Sequence, residues 1–427
     1  MTKRLAPEGI EFLVRLHFSP NRMHNSLRLI IAAVALMPLA ATAQQAPRTI
    51  PAPDASYDEP FTNAAAIREL RDGRVLVIDP RDKLVQLVDF KANTGTKIGR
   101  EGSGPTEFGM PLRLLMAPGD TSLLYDLLND RYLIIGPDGK AINTQRIEIE
   151  APPIGAGAGG GRQVRVGGTM PTASDARGRL YFDSPGITMG PDGPRTSDSA
   201  AVTRYDRTMK KLDTAAWVAL AKNNTQISGG ANNMSMRIGQ ANPMSPRDAW
   251  AVFPDGRVAV LRAADYHVEF VLANGSKVTG APIKYTPVRM GDAEKKEEEV
   301  ARHRARSNAV MVSMTEGPGG TQRTASMGPG ANGPPLEPLT DWPAVKPAFR
   351  PGAGAAMARP NGELWVRRTE AAGAKGTLYD VIDAKGAVTH QVRLDDKVAL
   401  VGFGNGTAYT TLSDEDDLLT LRRHRMP

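Results

Sequence analysis

Runs of branched and aromatic residues recur along the chain, each fed by a tight turn. Six short phrases carry the pattern: RDGRVLVID (Arg71 to Asp79), PGDTSLLYD (Pro118 to Asp126), ARGRLYFDS (Ala176 to Ser184), PDGRVAVLR (Pro254 to Arg262), PNGELWVRR (Pro360 to Arg368) and GNGTAYTTL (Gly404 to Leu412). A Gly- or Asp-containing turn ahead of a short apolar run predicts a hairpin leading into a strand. Upstream of several phrases lies another apolar segment, such as AAAIREL from Ala64 or LRLLMA from Leu112. Downstream come a third strand and usually a fourth, as in YLIIGPDGKAINTQRI from Tyr132. Four antiparallel strands per unit and six units predict an all-β fold, a six-bladed β-propeller.

The strand interiors favour this architecture over a sandwich. Val75, Leu76, Val77 and Ile78 are apolar at odd and even positions alike, as are Leu364, Trp365 and Val366. A sheet wet on one face alternates apolar with polar, whereas a blade between two neighbours buries both faces. The sixth unit stops after three strands, ending with DLLTLRRH (Asp417 to His424). A raw edge there must be covered, and the segment Arg48 to Asn63 is expected to supply the missing outermost strand. On this reading residues 44–427 make one domain, with an insertion at 286–344 between blades 4 and 5.

Composition sharpens the picture in two places. From Met23 the chain reads as a short basic segment, an apolar run from Leu29 to Ala41 and the small-residue pattern Ala41-Thr42-Ala43, the order of an export signal cleaved after Ala43. The apolar run is too short to span a bilayer comfortably, and Met23 is the expected start. The mature chain is then periplasmic or secreted. With no cysteine it has neither disulfides nor a lipid-attachment site, so its core must hold it together. Loss of residues 1–43 leaves 48 basic against 44 acidic residues, a charge of +4 in place of +7. With aromatics at 5%, this excludes the basic, aromatic surface of a nucleic-acid binder.

In a four-stranded blade the turns from strand two to three, and the crossings between blades, share one face of the disc. The long pieces fall there: Ala151 to Gly168, Gly186 to Ala200, Ala221 to Pro243 and Thr286 to Ala344. Elaborated loops gathered on one side of a scaffold mark the face that binds. Within the last, Gly291 to Met314 is rich in helix formers with an acidic start, which predicts a helix. Gly317 to Pro335 reads as low-complexity and mobile.

Candidate chemistry is sparse. GREGSGPTEFG from Gly99 lacks the Lys-Ser or Lys-Thr of a phosphate loop. The four histidines beyond residue 43, at 267, 303, 390 and 424, sit on different elements, which argues against a histidine metal site or a Ser-His-Asp triad. SDEDD (Ser413 to Asp417) lacks the alternation and mid-loop glycine of a calcium loop. The six phrases, aligned, end at Asp79, Asp126, Ser184, Arg262, Arg368 and Leu412, mostly polar residues closing apolar strands on the elaborated face. Asp79, Asp126, Arg262 and Arg368, with Arg81, Asn129, Arg131 and Asp265 in the same loops, form the candidate ligand-binding set. Two cations at equivalent places, Arg262 and Arg368, suggest an anion between them. The plainer alternative is that these side chains brace turns.

GREGSGPTEFGMP (Gly99 to Pro111), WPAVKPAF (Trp342 to Phe349) leading into NGELWVRR, and the closing LSDEDDLLTLRRHR (Leu412 to Arg425) together resemble secreted bacterial six-bladed β-propellers related to the NHL-repeat group, over about residues 50 to 427. The resemblance implies fold rather than chemistry. It leaves three expectations: a non-catalytic binding module for a small polar or anionic ligand or a protein partner, a calcium-dependent lactonase or esterase with Asp79, Asp126 and Asn129 among the ligands, or an interaction scaffold in the envelope. The first needs no cofactor; the second needs calcium.

Overall fold

The computed structural model describes residues 46–147, 149, 170–183, 187–190, 193–221, 226–228, 235–237, 242–307, 310–317, 320–328, 336, 338–352 and 354–427. They belong to a compact unit beginning at Ala46. Blade 1 runs through Ala66–Glu69, Val75–Asp79, Leu84–Asp89 and Thr94–Lys97, and blade 2 through Pro111–Met116, Ser122–Asp126, Arg131–Ile135 and Ala141–Gln145. Blade 3 uses Ala173–Ser174, Leu180–Asp183, Ser199–Asp206 and Lys211–Ala219; blade 4 uses Ala249–Val252, Val258–Arg262, His267–Val271 and Lys277–Thr279. Blade 5 is built on Ala356–Ala358, Leu364–Arg367, Thr377–Ile382 and Val388–Leu394. Consecutive strands within each blade pair antiparallel. The turn before the second strand holds a glycine at φ +84° (Gly73) in blade 1 and +87° (Gly256) in blade 4, a region that a side chain rarely enters.

Blade 6 has three strands of its own, Val398–Gly404, Thr407–Ser413 and Leu419–Arg425, and the expected fourth comes from the opposite end of the sequence. Ala55–Ser56 pairs antiparallel with Arg422 and Arg423, and Phe61 pairs with Leu419 further along. The chain thereby covers an edge that would otherwise be open. One strand was not foreseen: Arg48–Thr49 adds to blade 5 as a fifth, parallel to Val388–Leu394.

Every blade is buried on both faces, and the apolar residues sort by parity. Leu76 and Ile78 pack with Leu124 and Leu133 of blade 2, while Val75 and Val77 pack with Tyr409 and Leu421 of blade 6 and with Tyr57 and Phe61 of the closing segment. The same division gives a cluster between blades 2 and 3, 3 and 4, 4 and 5, and 5 and 6. Among the described residues these six layers form the core, one per junction. The junction of blades 6 and 1 adds a polar lock, in which Glu69 accepts hydrogen bonds from the Asn405 main chain and the hydroxyls of Thr407 and Tyr409.

The insertion before blade 5 departs from its reading in two respects. The helix, α1, covers Asp292–Ser307 and ends seven residues before Met314. Val310–Gly317 is a strand instead, pairing in register with Gly320–Met327, inside the tract expected to be mobile. The β-branched positions of VMVSMT and of TQRT fit a ladder better than a helix. Residues 318–319 and 329–335 of that tract lie outside the described residues. Two shorter hairpins, Ile187–Gly190 with Gly193–Thr196 and Gln226–Ser228 with Ser235–Arg237, also fall in connections that open onto the elaborated face.

Candidate functional site

Four of the six aligned positions at the ends of the second strands, Asp79, Asp126, Arg262 and Arg368, share one structural task, tying the strand end to the linker that enters the blade. In blade 1 the Asp79 carboxylate, fully buried, accepts N–H groups from Asn63 (2.8 Å), Arg81 (3.0 Å) and Asp82 (3.2 Å). Burial holds its pKa above the usual aspartate value despite these bonds. In blade 2, Asp126 accepts the N–H groups of Gly109 (2.9 Å) and Met110 (3.0 Å). Blade 4 reverses the roles: Asp248, in the linker, accepts from Ala263 N–H and from Arg262 at 2.7 Å. In blade 5, Arg368 donates to the Ala348 carbonyl at 2.7 Å. Ser184 lies outside the described residues, while its neighbour Asp183 accepts from Thr172 Oγ1 of the entering linker at 2.8 Å. Leu412 contributes only main-chain pairing with Val398.

The remaining candidates extend these clasps. Asn129 donates to Asp126 Oδ2 (2.6 Å) and to Gly102 O (3.0 Å), and its own oxygen accepts from Ser103 Oγ. Arg131 reaches the carbonyls of Ser103, Gly104 and Glu107 at 2.8–2.9 Å. The Gly-rich linker is thus held by side chains of the blade it enters. Asp265 accepts from His267 Nδ1 at 2.6 Å within one turn.

This geometry answers two expectations. Arg262 is bracketed by Asp248 and Glu269, each at 2.7 Å, and Arg368 by Asp380 at 2.8 Å with the Tyr266 ring 4.9 Å from its guanidinium carbon. The repulsion that pointed to an anion between them is relieved inside each blade. The oxygens of Asp79, Asp126 and Asn129, expected to face calcium, are turned onto N–H and O–H donors of the chain. Among the described residues no group of three or more His, Asp or Glu side chains gathers as metal ligands, so calcium does not fit this trio as it stands.

Two other arginines differ from all of these. Arg113, in the innermost strand of blade 2, is half-buried, and among the described residues its side chain hydrogen-bonds only to the neighbouring Leu112 carbonyl, at 3.1 Å. Arg247, in the linker into blade 4, is half-buried with no hydrogen bond or ion pair among the described residues. Burial lowers the pKa of both guanidiniums; for Arg113 the distant Asp183 charge offsets this in part. Asp183 itself is taken by Thr172 and by Trp250 Nε1 at 2.6 Å. Gly352, in the linker into blade 5, lies so close that a Cβ there would stand 3.0 Å from Arg247 Nη2. Arg113, Asp183, Trp250 and Arg247 therefore occupy the strand-entry end of blades 2 to 4, on the elaborated face. Sequence reading missed this arc. A lone Arg inside the apolar LRLLM was its one visible signal.

No family model and no curated protein matches the chain. Among solved structures it is similar to a protein from Bacteroides fragilis described as exported, at 10% identity and TM-score 0.42, over 89% of this chain and 94% of that one. It is also similar to the calcium-binding protein regucalcin from Agrobacterium tumefaciens, at 11% identity and TM-score 0.34, over 90% and 97%. A gluconolactonase from Xanthomonas campestris matches at 10% identity and TM-score 0.37, over 88% and 97%. At such identities and scores the likeness says nothing of ligand or activity.

Proposed function

We propose that the chain is an exported, non-catalytic binding propeller that holds a small anionic ligand at the ring mouth, with Arg113 and Arg247 as anchors and Trp250 as a neighbouring apolar wall. One observation carries the reading: two desolvated guanidiniums on the loop-bearing face, with no carboxylate paired to either among the described residues. A cation withdrawn from water and left unanswered is costly, and a carboxylate or phosphate offers the planar, bidentate partner that a guanidinium matches best. Export rests on the signal-like segment ending at Ala43; no helix among the described residues is long and apolar enough to cross a membrane. Exposed Ile142, Trp217 and Val278 stand on the outer strands of three different blades, which favours isolated rim positions over a broad docking face.

Thermal melting of the wild type and of an Arg113→Gln/Arg247→Gln variant tests the reading, in citrate, phosphate, sulfate and acetate at constant ionic strength. The wild type is expected to gain several degrees from at least one multivalent anion and the double variant none. Equal gains in both proteins, or none in either, would count against it.

A further inference from the structure

The insertion before blade 5 touches the ring on both sides of its mouth. It leaves and rejoins the disc through a short antiparallel stem, where Lys346 N–H donates to the Val288 carbonyl at 2.8 Å and Met290 N–H to the Ala344 carbonyl at 3.0 Å. Next to the stem, Asn242 of the linker into blade 4, which also carries Arg247, donates to the Asp341 carbonyl at 3.2 Å. From there α1 lies on the loop between the second and third strands of blade 5, where Glu294 accepts from Ala372 N–H at 3.2 Å and Glu297 from Gly373 N–H at 2.9 Å. The hairpin of Val310–Gly317 with Gly320–Met327 reaches further, to the layer between blades 2 and 3: Ala325 packs against it, as does Leu112, the residue before Arg113. Blades 2 and 5 are opposite in a ring of six, so the insertion passes over the elaborated face from one side to the other. Helix and hairpin also meet. A Cβ at Gly328, just past the hairpin, would stand 3.0 Å from the Ser307 carbonyl at the end of α1, which couples the two.

We propose that the insertion is a lid over the ring mouth, hinged at its stem, and that it opens by releasing α1 from blade 5. The two ends of the lid are held differently. At the far end the hairpin rests Ala325 on an apolar layer. At the near end α1 buries no apolar side chain: its one valine, Val300, is 58% exposed, and the residue it does bury is Glu298. Glu298 Oε1 accepts from Arg350 at 2.5 Å and lies 3.7 Å from Lys346, a buried pairing whose attraction is largely cancelled by desolvation. Glu294 and Glu297 add single bonds to main-chain N–H groups nearer the surface, each of small net worth. Glu299 bonds Arg302 and the Leu339 N–H, both within the insertion, and so travels with the lid. A segment with few buried apolar contacts is the one that opens at least cost. That the lid retains an anion rests on the reading of Arg113 and Arg247 as anchors; that it opens does not.

The chain has no cysteine, so Ala325→Cys in the full chain reports on the lid through its rate of alkylation by iodoacetamide. Adding Glu294→Ala and Glu297→Ala should speed that alkylation about tenfold or more, the effect of losing two charge-assisted hydrogen bonds. Val260→Cys, inside blade 4 at 0% exposure, should stay protected in the same background. Glu298→Gln, which deprives Arg350 and Lys346 of their carboxylate, should act in the same direction; if it does not fold, the Glu294→Ala/Glu297→Ala pair decides. An unchanged rate at Ala325→Cys in that pair would overturn the proposal. Equal acceleration at Val260→Cys would overturn it too, since the whole ring would then have loosened. No anion enters this measurement, so its outcome stands apart from that of the Arg113→Gln/Arg247→Gln melts.

Discussion

A single carboxylate or imidazole can be assigned a measurable task in this ring. Asp79 collects three main-chain N–H groups at the entrance to blade 1, so Asp79→Ala should cost about 2–3 kcal/mol by leaving buried donors unpaired. Because burial raises its pKa, the contribution of its titration to stability is full below the ordinary aspartate range and is lost as pH rises through the folded value. Asp79→Asn, which keeps one acceptor and carries no charge to desolvate, should therefore cost less than Asp79→Ala in a urea melt at pH 7. His424 has the opposite pH sense. Its Nδ1 donates to the Pro51 carbonyl at 2.7 Å, which leaves Nε2 to accept from Thr410 Oγ1 at 2.8 Å. Burial lowers its pKa below 6.5. Stability from the neutral ring is thus present above pH 6.5 and lost as pH falls through the lower folded value. Melting temperature should drop over that window in the wild type, and the drop should shrink in His424→Gln; an unchanged profile would remove His424 as its source.

Among the elements, the closing strand is the one whose loss should matter most. Tyr57 is 1% exposed and packs in the layer joining blades 6 and 1, beside Phe61, Phe90 and Tyr409. Its hydroxyl also bonds Glu59 and receives the Gln86 amide. Tyr57→Ala should lower stability by about 3–5 kcal/mol, the range for removing a large buried ring, and deletion of residues 48–63 should cause aggregation through the bared edge of Leu419–Arg425. A deletion mutant as soluble and stable as the wild type would show that blade 6 is complete without it. This closure was legible because a propeller of three-stranded last blade has one way to hide its edge. The hairpin Val310–Gly317 with Gly320–Met327 was not, since glycine and threonine in a low-complexity tract give a period too weak to separate a ladder from coil. Nor was the fifth strand of blade 5, where two residues, Arg48 and Thr49, carry no pattern at all.

For the whole molecule, apolar parity along the second strands foretold six layers between six blades, and the positions of Leu76, Val77 and Trp365 bear that out. The arc of arginines was not foretold, for a physical reason. Arg262 and Arg368 look alike in sequence to Arg113 and Arg247, yet the first pair finds Asp248, Glu269 and Asp380 in three dimensions and the second forms no ion pair with a carboxylate among the described residues. Partnership, rather than position in the repeat, separates a brace from an anchor. The central claim is that the ring mouth grips an acidic molecule through Arg113 and Arg247, each contact worth about 1.5–3 kcal/mol, roughly ten- to 150-fold in affinity. Mass spectrometry of small molecules released from the purified full chain, compared with the Arg113→Gln/Arg247→Gln variant, tests it most directly. The account predicts an acidic compound in near-stoichiometric yield from the wild type and none from a variant that melts within a degree or two of it. The same compound recovered equally from both proteins, or a wild type that releases none while the variant loses its stability, would contradict it.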